Sequence, residues 1–300
     1  MTSAHVVIAG ASGLIGGALT WSLQADGAKV TRLVRRVPQS PDEVEWHPGA
    51  APLDPAVIAG ADAVVGLNGA SIGRLPWTSS YRETLRESRL APTRTLATAI
   101  RELGADAPAF LSASATGFYG DRPGETLTET SAPGDTFLAE LCVEWERTAL
   151  EAGPAARVAL LRTAPLLHRD GVLKPLITLT KLGVSGPLGR GTQVWPWISL
   201  DDEVRAIRHL IEHPISGPVN LTGPTPATAS EIGRGLAAEM RRPFLVPAPA
   251  WALRLGLGRD ATDSLLLPDA NTMPSVLTAS GFSFDHPTAD RAIASALAEA

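Results

Sequence analysis

Residues 5–16 read His5-Val6-Val7-Ile8-Ala9-Gly10-Ala11-Ser12-Gly13-Leu14-Ile15-Gly16, and this stretch decides the fold. The first five residues form a short, continuous apolar run ending in glycine, the pattern of a strand buried on both faces of a parallel sheet. Leu14, Ile15, Ala18, Leu19 and Leu23 then recur at helical spacing, and Gly27 closes the segment as a helix stop. The order is therefore strand, glycine turn, helix.

Outward from this unit the same alternation repeats. Lys29 to Val34 reads as a second strand, and Ala63-Val64-Val65-Gly66-Leu67, Ala109 to Ala113 and Val158 to Leu161 are further short apolar runs. Helical patterns are expected over 81–102, 135–152 and 201–212; in the middle one Leu138, Leu141, Cys142, Trp145 and Ala149 share a face. Such alternation predicts right-handed crossovers and an α/β fold with a Rossmann-type, doubly wound parallel sheet. Beyond Thr222 the texture changes, with prolines at 224, 226, 243, 247 and 249. Residues 1–222 are expected to form the nucleotide-binding domain and 223–300 a smaller C-terminal, substrate-side domain. Thr228-Ala229-Ser230-Glu231 fits a capping box at a helix start.

Gly10, Gly13 and Gly16 make a G-x-x-G-x-x-G turn between strand and helix. The first glycine permits the tight turn, the second lets the backbone approach a pyrophosphate, and the third lets helix pack on strand. The helix N-terminus adds free amides and partial positive charge for phosphates. In NAD-binding proteins an acidic residue ends the second strand, but here the slot reads Leu33-Val34-Arg35-Arg36. A carboxylate would repel a 2′-phosphate, whereas a guanidinium offers it a bidentate fork. NADP(H) is therefore expected in preference to NAD(H), with Arg35 as first choice and Ser12 or Arg36 assisting. The full expected cofactor set is Gly10, Ser12, Gly13, Leu14, Ile15, Gly16, Arg35, Arg36, Leu67, Asn68, Gly69, Ser112 and Arg162.

Bulk composition narrows the partners. The chain has 300 residues, 44% hydrophobic and 19% charged, which is the globular range. A net charge of -5 leaves no electrostatic footprint for nucleic acid. The single cysteine, Cys142, rules out an internal disulfide framework and suits a reducing compartment, so a cytoplasmic location is expected. The segment Met1-Thr2-Ser3-Ala4 carries no signal-peptide pattern, and 245–257 is broken by Pro247, Pro249 and Arg254, so no membrane partner is expected. The six histidines show no metal-ligand spacing, and no metal is expected.

At this point the chain resembles an extended short-chain dehydrogenase/reductase. The glycine turn, the run Ser112-Ala113-Ser114-Ala115-Thr116-Gly117-Phe118-Tyr119-Gly120, Leu161-Arg162-Thr163 and Trp197-Ile198-Ser199-Leu200-Asp201-Asp202 match in order. More narrowly it is similar to the atypical, NAD-dependent epimerase/dehydratase-like subgroup with a short C-terminal domain of unknown function. Trp77-Thr78, Glu87-Ser88-Arg89, Phe137-Leu138-Ala139-Glu140-Leu141-Cys142 and Gly186-Pro187-Leu188-Gly189 carry that resemblance. So do Pro247-Ala248-Pro249-Ala250-Trp251-Ala252-Leu253-Arg254 and Gly281-Phe282-Ser283-Phe284, the C-terminal match running over about 246–293. Nearly the whole chain is covered.

The resemblance implies a Ser or Thr, a Tyr and a Lys, the last two as Tyr-x-x-x-Lys, with the Lys lowering the Tyr pKa for proton exchange. Ser114 fits the first role, but an apolar residue and Cys142 fill the Tyr and Lys slots. The chain holds only two tyrosines, Tyr81 and Tyr119, and Tyr119 is either the remaining candidate acid or a structural residue, since the resemblance places the same Tyr-Gly turn in relatives that have their own catalytic Tyr. Cys142 is either a reactive thiol or a buried, inert one on its apolar stripe. Glu140 and Glu144 are weak candidates. Arg89 and Arg162 are either site residues or, for Arg162, a salt-bridge partner of Asp201 or Asp202. Trp195 and Trp197 either wall a substrate pocket or pack in the core. Three functions stay open: an NADP(H)-dependent oxidoreductase or epimerase-like enzyme on a small molecule, a non-catalytic NADP(H) sensor or partner-binding protein, and a nucleotide-sugar epimerase. Relatives also suggest a homodimer through the helices over 81–102 and 135–152.

Overall fold

In the computed structural model, which describes residues 4–298, the opening apolar run is strand β1 (His5–Ala9) and the helical pattern after it is α1 (Leu14–Ala25). Met1, Thr2 and Ser3 of the N-terminal segment lie outside the described residues. β2 (Lys29–Val34), β3 (Glu43–Glu45) and β4 (Ala63–Gly66) follow, then the long helix α2 (Ser79–Glu102) and β5 (Ala109–Ala115). Next come β6 (Thr126–Leu127), α3 (Phe137–Leu150), β7 (Val158–Thr163), α4 (Leu173–Lys181), β8 (Val194–Trp195), α5 (Leu200–Glu212) and β9 (Gly217–Leu221). The C-terminal segment holds β10 (Ala227–Thr228), α6 (Ala229–Glu239), α7 (Ala250–Leu257), α8 (Arg259–Leu265), β11 (Asn271–Thr272), α9 (Ser275–Ala279) and α10 (Ala289–Ala298).

Seven strands form one parallel sheet in the order β3-β2-β1-β4-β5-β7-β9. The chain runs outward from β1 through β2 and β3, then crosses back to β4 on the other side. Strand order reverses between β1 and β4, and the crevice at their carboxyl ends is where open α/β sheets bind ligands. β1 shows why these residues choose a strand. Its alternate side chains enter different layers: Val6 and Ile8 join Leu19, Leu23, Ile207 and Leu210 on one face. Val7 and Ala9 join Leu96, Ile100, Phe110 and Ala149 on the other. Each fully buried aliphatic side chain contributes about 1.5–3 kcal/mol, so the central strand is held from both sides.

The C-terminal segment does not build its core alone. Trp195, Trp197, Leu167 and Leu173 pack with Ile232, Leu236, Ala292 and Ile293, so residues before the expected boundary at 223 contribute a third of the buried side chains of that cluster. β8 pairs antiparallel with β10, and β6 pairs parallel with β11, lacing the segment to the sheet domain. The two tryptophans are core residues and not a pocket wall: Trp195 Nε1 donates to the Leu266 carbonyl and Trp197 Nε1 to that of Thr225, each at 3.0 Å. α6 begins with the expected capping box between Thr228 and Glu231. Among the described residues no helix is long and apolar enough to cross a membrane, and no group of three or more His, Cys, Asp or Glu residues is arranged to hold a metal ion.

Candidate functional site

The turn between β1 and α1 is built from contacts that only glycine allows. Gly10 has φ 93°, and a Cβ there would lie 2.8 Å from the Leu67 carbonyl carbon at the end of β4. At Gly16 a Cβ would lie 2.3 Å from the Gly10 carbonyl oxygen, so α1 rests directly on the turn. The N-cap of α1 is Gly13, with no side-chain cap and no acidic residue in the first turn. Its leading amides are therefore left for water or a ligand, beside the exposed Ser12 and Gly13. Opposite, at the end of β4, the carboxamide oxygen of Asn68 is buried without a hydrogen-bond partner, and Gly69 beside it is exposed. A buried acceptor left unpaired costs about 1–3 kcal/mol, which a bound donor removes. A glycine cradle, uncapped amides and an orphan acceptor together fit a dinucleotide; Leu14, Ile15 and Leu67, partly exposed, flank them.

The two arginines after β2 separate in the structure. Arg36 forks onto Glu43 of β3, its two terminal nitrogens each 2.8 Å from a carboxylate oxygen. That fork holds the Glu43 carboxyl below its usual pKa and raises that of the guanidinium. Arg36, expected to assist at the cofactor phosphate, has its planar donors on Glu43. Arg35 is exposed and makes no such pair.

The residues expected to exchange protons lie one strand further along, in a closed network. Ser114 Oγ donates to Glu146 Oε1 at 2.7 Å, and Arg162 donates to both oxygens of Glu146, from Nε at 2.8 Å and Nη2 at 2.9 Å. Arg162 Nη1 also donates to the Tyr119 hydroxyl at 3.0 Å and the Glu129 carbonyl at 3.1 Å. Tyr119 Oη donates to Asn220 Oδ1 at 2.6 Å, and Asn220 Nδ2 donates to the Met273 carbonyl at 2.9 Å. The Arg162 guanidinium carbon lies 3.5 Å from the Phe118 ring centroid. Tyr119 is 0% exposed, and burial pushes its phenol pKa up against the pull of Arg162.

This geometry turns three of the candidate residues inward. Tyr119 has no exposed face and both hydroxyl functions are engaged within the protein, so it is not placed to act as an acid toward a substrate. Ser114 is buried with its proton committed to Glu146. Arg162 is an interior cation neutralised by Glu146, neither a cofactor ligand nor a partner of Asp201 or Asp202. Ser112 is likewise interior, 1% exposed within β5. Glu146, the hub, was missed. Its signal was an acidic residue one turn beyond Cys142, on the apolar stripe of α3.

The Tyr and Lys slots are apolar. Leu138 is buried with Trp77, Leu85, Leu141 and Ala261. The Cys142 thiol is buried, and burial together with the nearby Glu146 carboxylate pushes its pKa up to about 12, so it stays a protonated, inert thiol. Glu144 pairs with Arg86 of α2, while Glu140 is exposed.

The sequence matches the NAD dependent epimerase/dehydratase family over residues 6–222. The chain belongs to that family. Residues 248–296 match a domain of unknown function, DUF1731. An epimerase family protein of Mycobacterium bovis is 40% identical over 298 residues, covering 98% of this chain and 97% of that protein. Among solved structures, human epimerase family protein SDR39U1 (isoform 2) with NADPH superposes with TM-score 0.87 at 27% identity, over 99% of this chain and 100% of that one. A nucleoside-diphosphate sugar epimerase from Corynebacterium glutamicum gives TM-score 0.79 at 34% identity, over 99% of this chain and 58% of that one. The family's NAD(P)-binding fold and the glycine cradle thus coincide on the same crevice.

Proposed function

We propose that this protein binds NADP(H) at the β1–α1 turn and acts as an oxidoreductase or epimerase-like enzyme on a small molecule. The observation that carries the reading is the reversal of strand order between β1 and β4, with uncapped α1 amides on one side and the unpaired Asn68 oxygen on the other. The unpaired Arg35 favours the 2′-phosphorylated cofactor, as does the NADPH held by SDR39U1, although more distant neighbours carry NAD. The α1 amides would hold the diphosphate, Arg35 the 2′-phosphate, and Asn68 a hydroxyl or amide donor. When bound, the nicotinamide supplies hydride chemistry. The chain's own part is to bind, orient and exclude water; no side chain at the Tyr and Lys slots moves a proton, so the proton comes from solvent or from the substrate itself.

A second reading, a non-catalytic NADP(H) sensor, is favoured by one specific feature: Leu138 is sealed under Trp77 and Ala261 where a proton donor would meet its substrate. Calorimetric titration with NADPH and NADH tests the first step. NADPH is expected to bind more tightly, and Arg35→Ala to cost about 1.5–3 kcal/mol of that preference through a lost charged hydrogen bond. An unchanged NADPH to NADH ratio would remove the assignment. Stopped-flow oxidation of bound NADPH across carbonyl and nucleotide-sugar panels then separates enzyme from sensor.

A further inference from the structure

α2 carries an arginine that no carboxylate neutralises. Arg82 pairs with Asp260 and Arg86 with Glu144, but Arg89, the next along the same helix, forms no ion pair among the described residues. Its guanidinium is only partly exposed, and burial lowers its pKa. The titratable groups acting on it are Cys142 and Tyr81, neither of them a carboxylate. Its terminal nitrogens donate to the Leu85 carbonyl at 2.9 Å and the Ala70 carbonyl at 3.2 Å, and its guanidinium carbon lies 5.3 Å from the Trp145 ring centroid. Arginine has five N–H donors, so three remain beyond those two bonds. A desolvated cation without a counter-ion is unfavourable, and such a place is suited to receive negative charge.

The position of that charge is as informative as its isolation. A Cβ on Gly69 would lie 3.1 Å from the Arg89 guanidinium carbon, so the glycine gives the guanidinium its seat. Ser88 Oγ accepts the Ala70 N–H at 2.9 Å, tying the loop after β4 to this turn of α2. Asn68, with its unpaired oxygen, is the neighbour of Gly69. Cys142 stands where the resemblance calls for a lysine.

We propose that Arg89 is a binding residue of this crevice, presenting from α2 to an anionic oxygen of a bound ligand the fixed positive charge that α3 lacks at position 142. Two sources share that chemistry: the diphosphate of a dinucleotide, an arm that rests on the cofactor reading above, and a phosphate or carboxylate group of the substrate. Being always charged, Arg89 binds and orients such an oxygen without supplying a proton.

Arg89→Met and Arg89→Lys decide it by calorimetry with NADPH and with adenosine 2′,5′-bisphosphate, which lacks the diphosphate link. Inorganic phosphate, read as a thermal shift with and without NADPH, is the second probe. The diphosphate arm expects Arg89→Met to weaken NADPH about tenfold or more, with the bisphosphate unchanged and Lys restoring part of the loss. The substrate arm expects unchanged NADPH affinity and a phosphate-induced shift that Arg89→Met loses. Equal behaviour of wild type and a folded Arg89→Met toward every probe would overturn the proposal. If Arg89→Met does not fold, Gly69→Ala, which crowds the guanidinium without deleting it, is read the same way. Failure of the wild type to bind NADPH would sink the cofactor reading alone, because phosphate binding to the unliganded protein still reports on Arg89.

Discussion

Two constellations lie at the carboxyl ends of neighbouring strands, and they are finished to different degrees. At β1 and β4 the polar groups are left open: α1 has no side-chain cap, Asn68 Oδ1 has no partner and Arg35 has no counter-ion among the described residues. At β5 and β7 they are closed: Ser114, Glu146, Arg162, Tyr119 and Asn220 satisfy one another in a chain of bonds between 2.6 and 3.0 Å. Leaving polar groups unmatched costs stability, so where that persists the match is expected from a ligand. Where every group is matched internally, the same residue types become structure. The closed network joins α3, β7, the turn after β5 and β9, and reaches the C-terminal segment through the Met273 carbonyl.

The comparison breaks most readily at its hub. Glu146→Ala leaves Arg162 buried without its carboxylate, and loss of one partner of a buried ion pair costs about 3–5 kcal/mol. Urea denaturation should show that loss, while NADPH affinity of the still-folded variant stays close to wild type. A variant of normal stability that no longer bound NADPH would place the hub in the ligand site and erase the distinction.

Glu203 sharpens the comparison because it is deeply buried yet unfinished. It is 0% exposed on α5, accepts from Thr163 Oγ1 at 2.8 Å, and keeps its other oxygen without a partner. Burial pushes its pKa up to about 8 from an ordinary 4.5, against the opposing hydrogen bond from Thr163. The folded state thus holds this proton more tightly than the unfolded chain. Its stabilising contribution is full below about pH 4.5 and is lost as pH rises through about 8. Glu203→Gln should flatten that dependence, with the variant gaining about 1–3 kcal/mol relative to wild type between pH 5 and pH 8.5, the scale of one desolvated polar group. Denaturation curves at both pH values check it; a constant difference between the two proteins would mean that Glu203 is not protonated in the folded state.

The open constellation was legible in the sequence because glycine requirements are local. The turn at Gly10, Gly13 and Gly16 follows from backbone clearance within a few residues of the chain. Arg35 is the first choice on the sequence alone; what was not legible is the engagement of Arg36, since it depends on β3 pairing beside β2 and bringing Glu43 up to it. The closed constellation was half legible. Ser114, Tyr119 and Arg162 stood out in the sequence as candidates, but their joining in one network rests on Glu146 and Asn220, distant in sequence, and on which way each hydroxyl turns. Which of the two readings of Trp195 and Trp197 holds was not legible for a related reason: their neighbours come from α6 and α10, beyond the expected domain boundary.

Tyr119→Phe is the mildest of these changes and the most direct challenge to the division. It removes only the hydroxyl, which donates to Asn220 and accepts from Arg162, and keeps the ring against Phe118. Arg162 retains both oxygens of Glu146 and the Glu129 carbonyl, so its charge stays compensated. Asn220 Oδ1 loses its donor, and the expected loss is that of one ordinary hydrogen bond, about 0.5–1.5 kcal/mol. Thermal denaturation should register this shift while NADPH affinity, and any turnover found in the panels, is unchanged. A large fall in turnover at unchanged stability would show the phenol meeting substrate after all, and would require the network to open during catalysis.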